Sequence, residues 1–137
     1  MMISTRGRYA LRMMLDLALY QGEGYVSLKD ISQRQDISKK YLEQLVPDLC
    51  RADFLHTARG VQGGYRLSRT PCEYTVGEII RASEGDLAPV ACLQTDSVPC
   101  PHCADCMTLP VWQGLQKVAD AYLDGITLQD VLSKNLK

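Results

Sequence analysis

From Ser27 to Leu67 the chain runs through two short helical patterns and then two β-forming runs parted by glycines, an order that admits few folds. Ser27 is placed to cap a helix through about Gln33, with Leu28 and Ile31 on its inner face. Gln35-Asp36-Ile37 makes a turn, and Ser38 caps a second helix in which Tyr41, Leu42, Leu45, Val46 and Leu49 recur at helical spacing. Pro47 interrupts that pattern. An interior proline removes a backbone hydrogen bond and crowds the preceding turn, so a kink or a restart is expected there. Leu55-His56-Thr57-Ala58 and Tyr65-Arg66-Leu67 read as strands, and the glycines of Arg59-Gly60-Val61-Gln62-Gly63-Gly64 supply the positive φ angles that a hairpin loop needs. Two short helices packed on a third and followed by a hairpin define a winged helix-turn-helix, a mainly α fold with a small β-hairpin wing.

The flanks complete it. Residues 5–20 are nearly continuously apolar and predict a largely buried helix, broken by Gly22 and Gly24. Thr75 caps a helix through Glu84 with Val76, Ile79 and Ile80 inward, and Gly85 ends it. The segment 92–106 has no usable periodicity, is punctuated by Pro99 and Pro101, and reads as a loop. Thr108 then caps a long helix with Pro110 in its first turn, and Val111, Trp112, Leu115, Val118, Ala119, Tyr122 and Leu123 mark an apolar stripe to Gly125. A short domain has little core to share, so a stripe of this length packs more readily on a copy of itself, and a homodimer is expected. Thr127 caps a short terminal helix. The resulting division is a DNA-reading unit at 1–86, a cysteine-rich sensor loop at 87–107, and a dimerisation helix with a C-terminal helix at 108–137.

Charge points to the same partner. Residues 1–72 hold eleven Lys/Arg against seven Asp/Glu, and residues 73–137 hold four against nine. A basic first half suits phosphate contacts concentrated at one end. No run approaches the roughly 18 apolar residues that span a bilayer, so no membrane partner is expected. Arg6, Arg8 and Arg12 ahead of Met13-Met14-Leu15 faintly resemble a signal peptide, but Asp16 interrupts the apolar run and no small-residue cleavage site follows. The expected compartment is the reducing cytoplasm, where clustered cysteines bind metal or react rather than form structural disulfides.

Four of the six cysteines, Cys92, Cys100, Cys103 and Cys106, fall in the loop with the spacing C-x7-C-x2-C-x2-C. An iron–sulfur cluster takes about four thiolates or mixed ligation from a wrapping loop. Zinc accepts four thiolates and favours C-x2-C pairs. A third reading has no metal, only neighbouring thiols that oxidise and alter the DNA-binding shape. Spacing and compartment leave cluster and zinc level. His102, between Cys100 and Cys103, is a local candidate for an additional ligand. Cys50 belongs to the second helix's apolar pattern and reads as a small core residue, and Cys72 as a bystander thiol.

In the second short helix Ser38, Lys39, Lys40, Tyr41 and Gln44 project from the N-terminal half, which in such helices meets base edges and phosphates. Lys39 and Lys40 suit phosphate, Gln44 suits adenine and Glu43 suits cytosine N4. Arg59 in the hairpin loop suits a narrow minor groove, whose negative potential attracts guanidinium. Arg6, Arg8 and Tyr9 at the start of the first helix are candidate phosphate contacts.

The stretch DISKKYLEQLVPDLCRADFLHTARGVQGGYRLSR, the opening ISTRGRYALR, the cysteine loop and the TLPVW start of the long helix together resemble one family of small bacterial winged-helix regulators. It is the family of the iron–sulfur regulator IscR, the nitric-oxide sensor NsrR, the iron regulator RirA and the cysteine regulator CymR. The resemblance implies a homodimer whose long helices, about residues 108–124, cross between subunits, and a palindromic double-stranded operator. It implies that Glu43 and Gln44 read bases and that Arg59 enters the minor groove. It also implies an iron–sulfur cluster on Cys92, Cys100 and Cys106, which places the cluster ahead of zinc. Two departures bear on the remaining ligand. The family's histidine three residues after the last cysteine is Leu109 here, and its N-terminal aspartate is Arg8. Cys103 has no counterpart in either scheme, and with His102 it stays a local candidate. The expected function is a non-enzymatic transcriptional repressor controlled by that cluster. Its rivals are the same DNA reader sensing by cysteine oxidation or through a partner enzyme of sulfur metabolism, a redox protein, and a zinc-stabilised interaction module.

Overall fold

The first helix, α1 (Thr5–Tyr20), lies at the centre of the molecule and packs against most of the other elements. The computed structural model describes residues 3–95, 97–98, 100–102 and 104–136. Ser4 caps α1 by accepting from the Arg6 amide at 3.2 Å. Ala10, Met13, Met14 and Leu17 are buried on its inner face, but Leu19 and Tyr20 stand exposed, so α1 is amphipathic rather than largely buried. An aliphatic run does not distinguish a helix buried all round from one with a single buried face.

The two short helices follow as α2 (Leu28–Gln35) and α3 (Lys39–Arg51). Ser27 accepts from the Asp30 amide at 3.2 Å and Ser38 from the Tyr41 amide at 3.1 Å, so each serine satisfies a free N–H of its first turn. Asp36 takes the left-handed conformation (φ 55°) that ends α2, two residues beyond the expected Gln33. Pro47 neither breaks nor restarts α3, which runs through it. The proline lies on the exposed face, where water can meet the carbonyl left without its helical partner, while Leu42, Leu45 and Leu49 bury the opposite face.

Strands β1 (Leu55–Ala58) and β2 (Gly64–Leu67) form an antiparallel hairpin in the register Leu55↔Leu67, His56↔Arg66, Thr57↔Tyr65 and Ala58↔Gly64. Tyr65 also exchanges two backbone hydrogen bonds of 2.8 Å with Val26, which ties the wing to the segment leading into α2. Two glycines permit this. Gly64 has φ +151°, and a Cβ there would strike the Val26 carbonyl. Gly63 is needed for another reason, since a Cβ would strike the Ala58 carbonyl.

Helix α4 (Val76–Glu84) opens on a capping box between Thr75 and Glu78 and ends at Gly85 (φ 82°). The long helix α5 (Leu109–Asp124) has no buried residue. It is held at its far end, where Arg81 of α4 donates to Asp124 at 2.7 Å and Asp120 at 3.0 Å. Leu123 there joins a small apolar cluster of Val76, Ile80 and Leu87. Thr108 does not cap α5 with its side chain, contrary to expectation. Helix α6 (Leu128–Leu132) returns the chain to the body: Leu128 is fully buried in the main core and its amide donates to the Tyr74 carbonyl at 3.0 Å. Among the described residues no helix is long and apolar enough to cross a membrane.

Candidate nucleic-acid interface and cysteine site

A recognition surface needs side chains free to leave water for base edges and phosphates, and α3 carries a group of them. Lys39, Lys40, Glu43 and Gln44 are all exposed, on the side of the helix opposite its buried leucines. The other candidates divide by what already holds them. The Ser38 hydroxyl is occupied as the cap of α3. Tyr41 is half-buried and meets Tyr9 edge to face, with centroids 5.3 Å apart, while the Arg12 guanidinium lies over the Tyr9 ring at 5.2 Å. This stack sets how α3 lies on α1. Arg8 is exposed, and its guanidinium donates to Thr5 Oγ1 at 3.0 Å. Arg59 is exposed in the wing loop, two residues from Val61, which is fully exposed.

Arg6 is not placed as a free phosphate ligand. Its Nε donates to Ser83 O at 3.0 Å and Asp48 Oδ2 at 3.1 Å, and its Nη2 donates to Gln44 O at 3.2 Å and pairs with Asp48. Burial works against the Asp48 charge, but bonds from Arg6 and Arg51 outweigh it and hold the carboxyl below its usual range.

A second carboxylate escaped the sequence reading. Asp16, which there only interrupts an apolar run, is completely buried and is bracketed by Arg34 (Nη2–Oδ1 2.7 Å, Nε–Oδ2 3.0 Å) and the Gln35 amide (3.1 Å). The forked pair clamps α2 to α1. A charged residue within an apolar helical run, one turn from its end, was the available signal.

The cysteine loop leaves α4 under the control of Asp86. That carboxylate accepts from the Thr95 amide, from the Thr95 hydroxyl at 2.9 Å and from the Ala88 amide at 2.7 Å, which together hold its pKa below the ordinary carboxylate range. The stapled turn places Cys92 on a short 3₁₀ segment, Ala91–Leu93. Cys92, Cys100 and Cys106 then line one cavity of about 330 Å³ together with Leu93, Ser97, Leu109 and Gln113. Its far wall is the first turns of α5. The Thr108 hydroxyl lies 3.4 Å from Cys106 Sγ, and with the Thr108 and Leu109 amides it pulls the Cys106 thiol below its ordinary range. The threonine therefore serves the sulfur instead of the helix.

Three thiols around one cavity, one of them predisposed to ionise, suit a thiophilic metal centre as a donor set. Among the described residues no three ligating groups converge on a single point. Leu109 offers no donor. His102 is exposed and outside the cavity lining, and Cys103 lies outside the described residues. Gln113, one turn beyond Leu109, brings an amide into the lining that the spacing argument did not single out. Cys50 is half-buried against the main core, and burial pushes its thiol up, as suits an inert packing residue.

The fold and these two features define a winged-helix transcription regulator with a cysteine loop between its reading unit and an uncovered helix. The model of the Rrf2 family, described as iron-dependent transcriptional regulators, matches residues 3–134. Protein rrf2 of Nitratidesulfovibrio vulgaris is 39% identical over 132 residues, covering 96% of this chain and 87% of its own. Among solved structures, T. potens IscR superposes with a TM-score of 0.77 at 41% identity, covering 98% of this chain and 88% of its own. CymR, the global cysteine regulator of B. subtilis, gives 0.73 at 39% identity with 98% of both chains covered. The chain belongs to the Rrf2 family, and its class is transcriptional regulator, not enzyme.

Proposed function

We propose that the protein is a homodimeric repressor whose grip on a palindromic operator is set by an iron–sulfur cluster at Cys92, Cys100 and Cys106. The observation that carries the reading is the shared cavity: cysteines up to fourteen positions apart in sequence line one space against the first turns of α5. A cluster bound there would tie the three thiolates together and make their spacing sensitive to iron, sulfur and oxidants. Cys106 precedes α5 by three residues, so drawing its sulfur toward Cys92 pulls on the start of that helix. In the dimer, α5 sets the separation of the two copies of α3, and operator affinity follows by population shift.

For the dimer, Val111, Trp112, Leu115, Val118 and Tyr122 stand between 37% and 69% exposed along α5, a stripe that a monomer would leave in water. On the DNA, Lys39, Lys40 and Arg8 take phosphates, Glu43 and Gln44 meet base edges, and Arg59 enters the minor groove.

A second reading keeps the DNA-binding dimer and replaces the cluster by thiol oxidation or a partner enzyme of sulfur metabolism. Leu109, which supplies no ligand, and the acidic Cys106 thiol favour it. Purification without oxygen, with iron, acid-labile sulfide and zinc assayed per chain beside the visible spectrum, separates the two. Iron matched by sulfide, with a colour that bleaches in air and is lost in Cys106→Ala, is the expected result. A colourless protein after anaerobic reconstitution, metal-free or holding zinc alone, sinks the cluster and leaves the thiol switch or a structural zinc site.

A further inference from the structure

Arg6 lies on the first turn of α1, yet its guanidinium joins three elements. It donates to Ser83 O in the last turn of α4 (3.0 Å), to Gln44 O in α3 (3.2 Å) and to Asp48 one turn further along α3 (3.1 Å). Gln44 is one of the exposed side chains of the recognition face, so Arg6 grips the backbone of that face from behind. The same turn of α4 is fixed to α1 by the neighbouring residue. The Glu84 carboxylate accepts from the Gly7 amide at 3.1 Å and from the Ser4 amide and hydroxyl. Only glycine permits that approach, because a Cβ on Gly7 would come within 2.8 Å of Glu84 Oε1. One turn earlier on α4, Arg81 holds α5, and two residues later Asp86 staples the cysteine loop. The C-terminal half of α4 and the residues just past it are thus bonded to the sensor loop, the long helix and α1, and Arg6 alone carries the hydrogen bonds that join the last turn of α4 to α3 among the described contacts.

We infer that Arg6 is a positioning residue for DNA recognition, fixing the seat of α3 on the last turn of α4 rather than meeting phosphate itself. The inference rests on the reading of α3 as the recognition helix. A lysine in its place keeps the charge but lacks the planar fork that reaches two carbonyls and a carboxylate at once. Asparagine at position 48 keeps Arg6 and its charge but removes the anion that anchors it.

The test uses a duplex selected from a random-sequence pool by the wild-type protein, titrated by fluorescence anisotropy over a series of KCl concentrations. Each variant is measured well below its own melting midpoint. Arg6→Lys and Asp48→Asn should each weaken binding about tenfold, the cost of a misplaced base contact. The slope of log Kd against log salt should stay that of the wild type, since no phosphate contact is lost. A phosphate role predicts the reverse. Arg6→Gln would then flatten the slope by about one per protomer, Arg6→Lys would bind as the wild type does, and Asp48→Asn, freeing a cation beside the DNA, would bind equally or more tightly. Any of these three overturns the inference, and should the Arg6 variants not fold, Asp48→Asn decides alone. A wild-type protein that enriches no duplex overturns the DNA-binding reading itself, a failure distinct from a positioning error.

Discussion

A carboxylate removed from water needs hydrogen-bond donors in place of the water it loses, and both Asp16 and Asp48 find an arginine from another element, Asp48 with a second from its own helix. Asp16 is bound by Arg34 and Gln35, with Arg34 also lying 4.1 Å over the Tyr20 ring. Asp48, 14% exposed, is bound by Arg6 and Arg51. The Asp48 carboxyl is held low when folded, so its stabilisation is complete above the ordinary carboxylate pKa of about 3.9 and disappears as pH falls through the lower folded value. Asp48→Asn should therefore cost about 1–2 kcal/mol at neutral pH, and the gap should close in acid. Chemical denaturation of both proteins at pH 7 and again near pH 3 checks this; a gap independent of pH would mean that the charge contributes nothing. Neither pairing was legible in the chain. An arginine near an N-terminus and an aspartate in a helix announce charge, and only the packing of α1 on α2, α3 and α4 decides whether the charge faces DNA or a partner inside the protein.

At the scale of elements the sequence was far more legible, because caps and glycines act locally. Ser27, Ser38, Thr75 and Thr127 each cap the helix that follows, and the hairpin register centres on the glycine-rich loop. What misled did so where a residue serves a tertiary neighbour: Thr108 turns from its helix to the Cys106 sulfur, and Pro47 is tolerated because its side of α3 is wet. Spacing grouped four cysteines and the resemblance chose Cys92, Cys100 and Cys106 among them, all three lining one cavity, whereas Gln113 in the same lining required knowing which face of α5 turns inward. The wing offers a test at this scale. Gly64→Ala drives a Cβ into the Val26 carbonyl and should cost more than about 1 kcal/mol, read as a lowered urea midpoint with an unchanged slope. An unaltered midpoint would show that the wing can lift from Val26 freely.

The whole molecule is built around an imbalance: a well-filled core in the reading unit and a sixteen-residue helix with no buried side chain. If α5 meets its counterpart in a second copy, Leu115→Glu places two carboxylates in an apolar seam and should convert the dimer to monomer in sedimentation velocity. Operator affinity would fall with it, because two half-sites are then bound independently. A dimer that survives this change would locate the interface elsewhere.

The burial of Leu128 has a consequence for how the protein comes into being. Its seat lies between α1 and the Pro71–Glu73 turn, so the centre of the reading unit receives its last side chain from beyond α5. On the ribosome, the segment from α1 to α4 leaves the exit tunnel long before residue 128 does. It waits with that seat open while the cysteine loop and the apolar helix emerge. The nascent chain thus completes that core only after the cysteine loop and α5 have emerged, so folding of the first 84 residues is not finished until the chain has run on through α6.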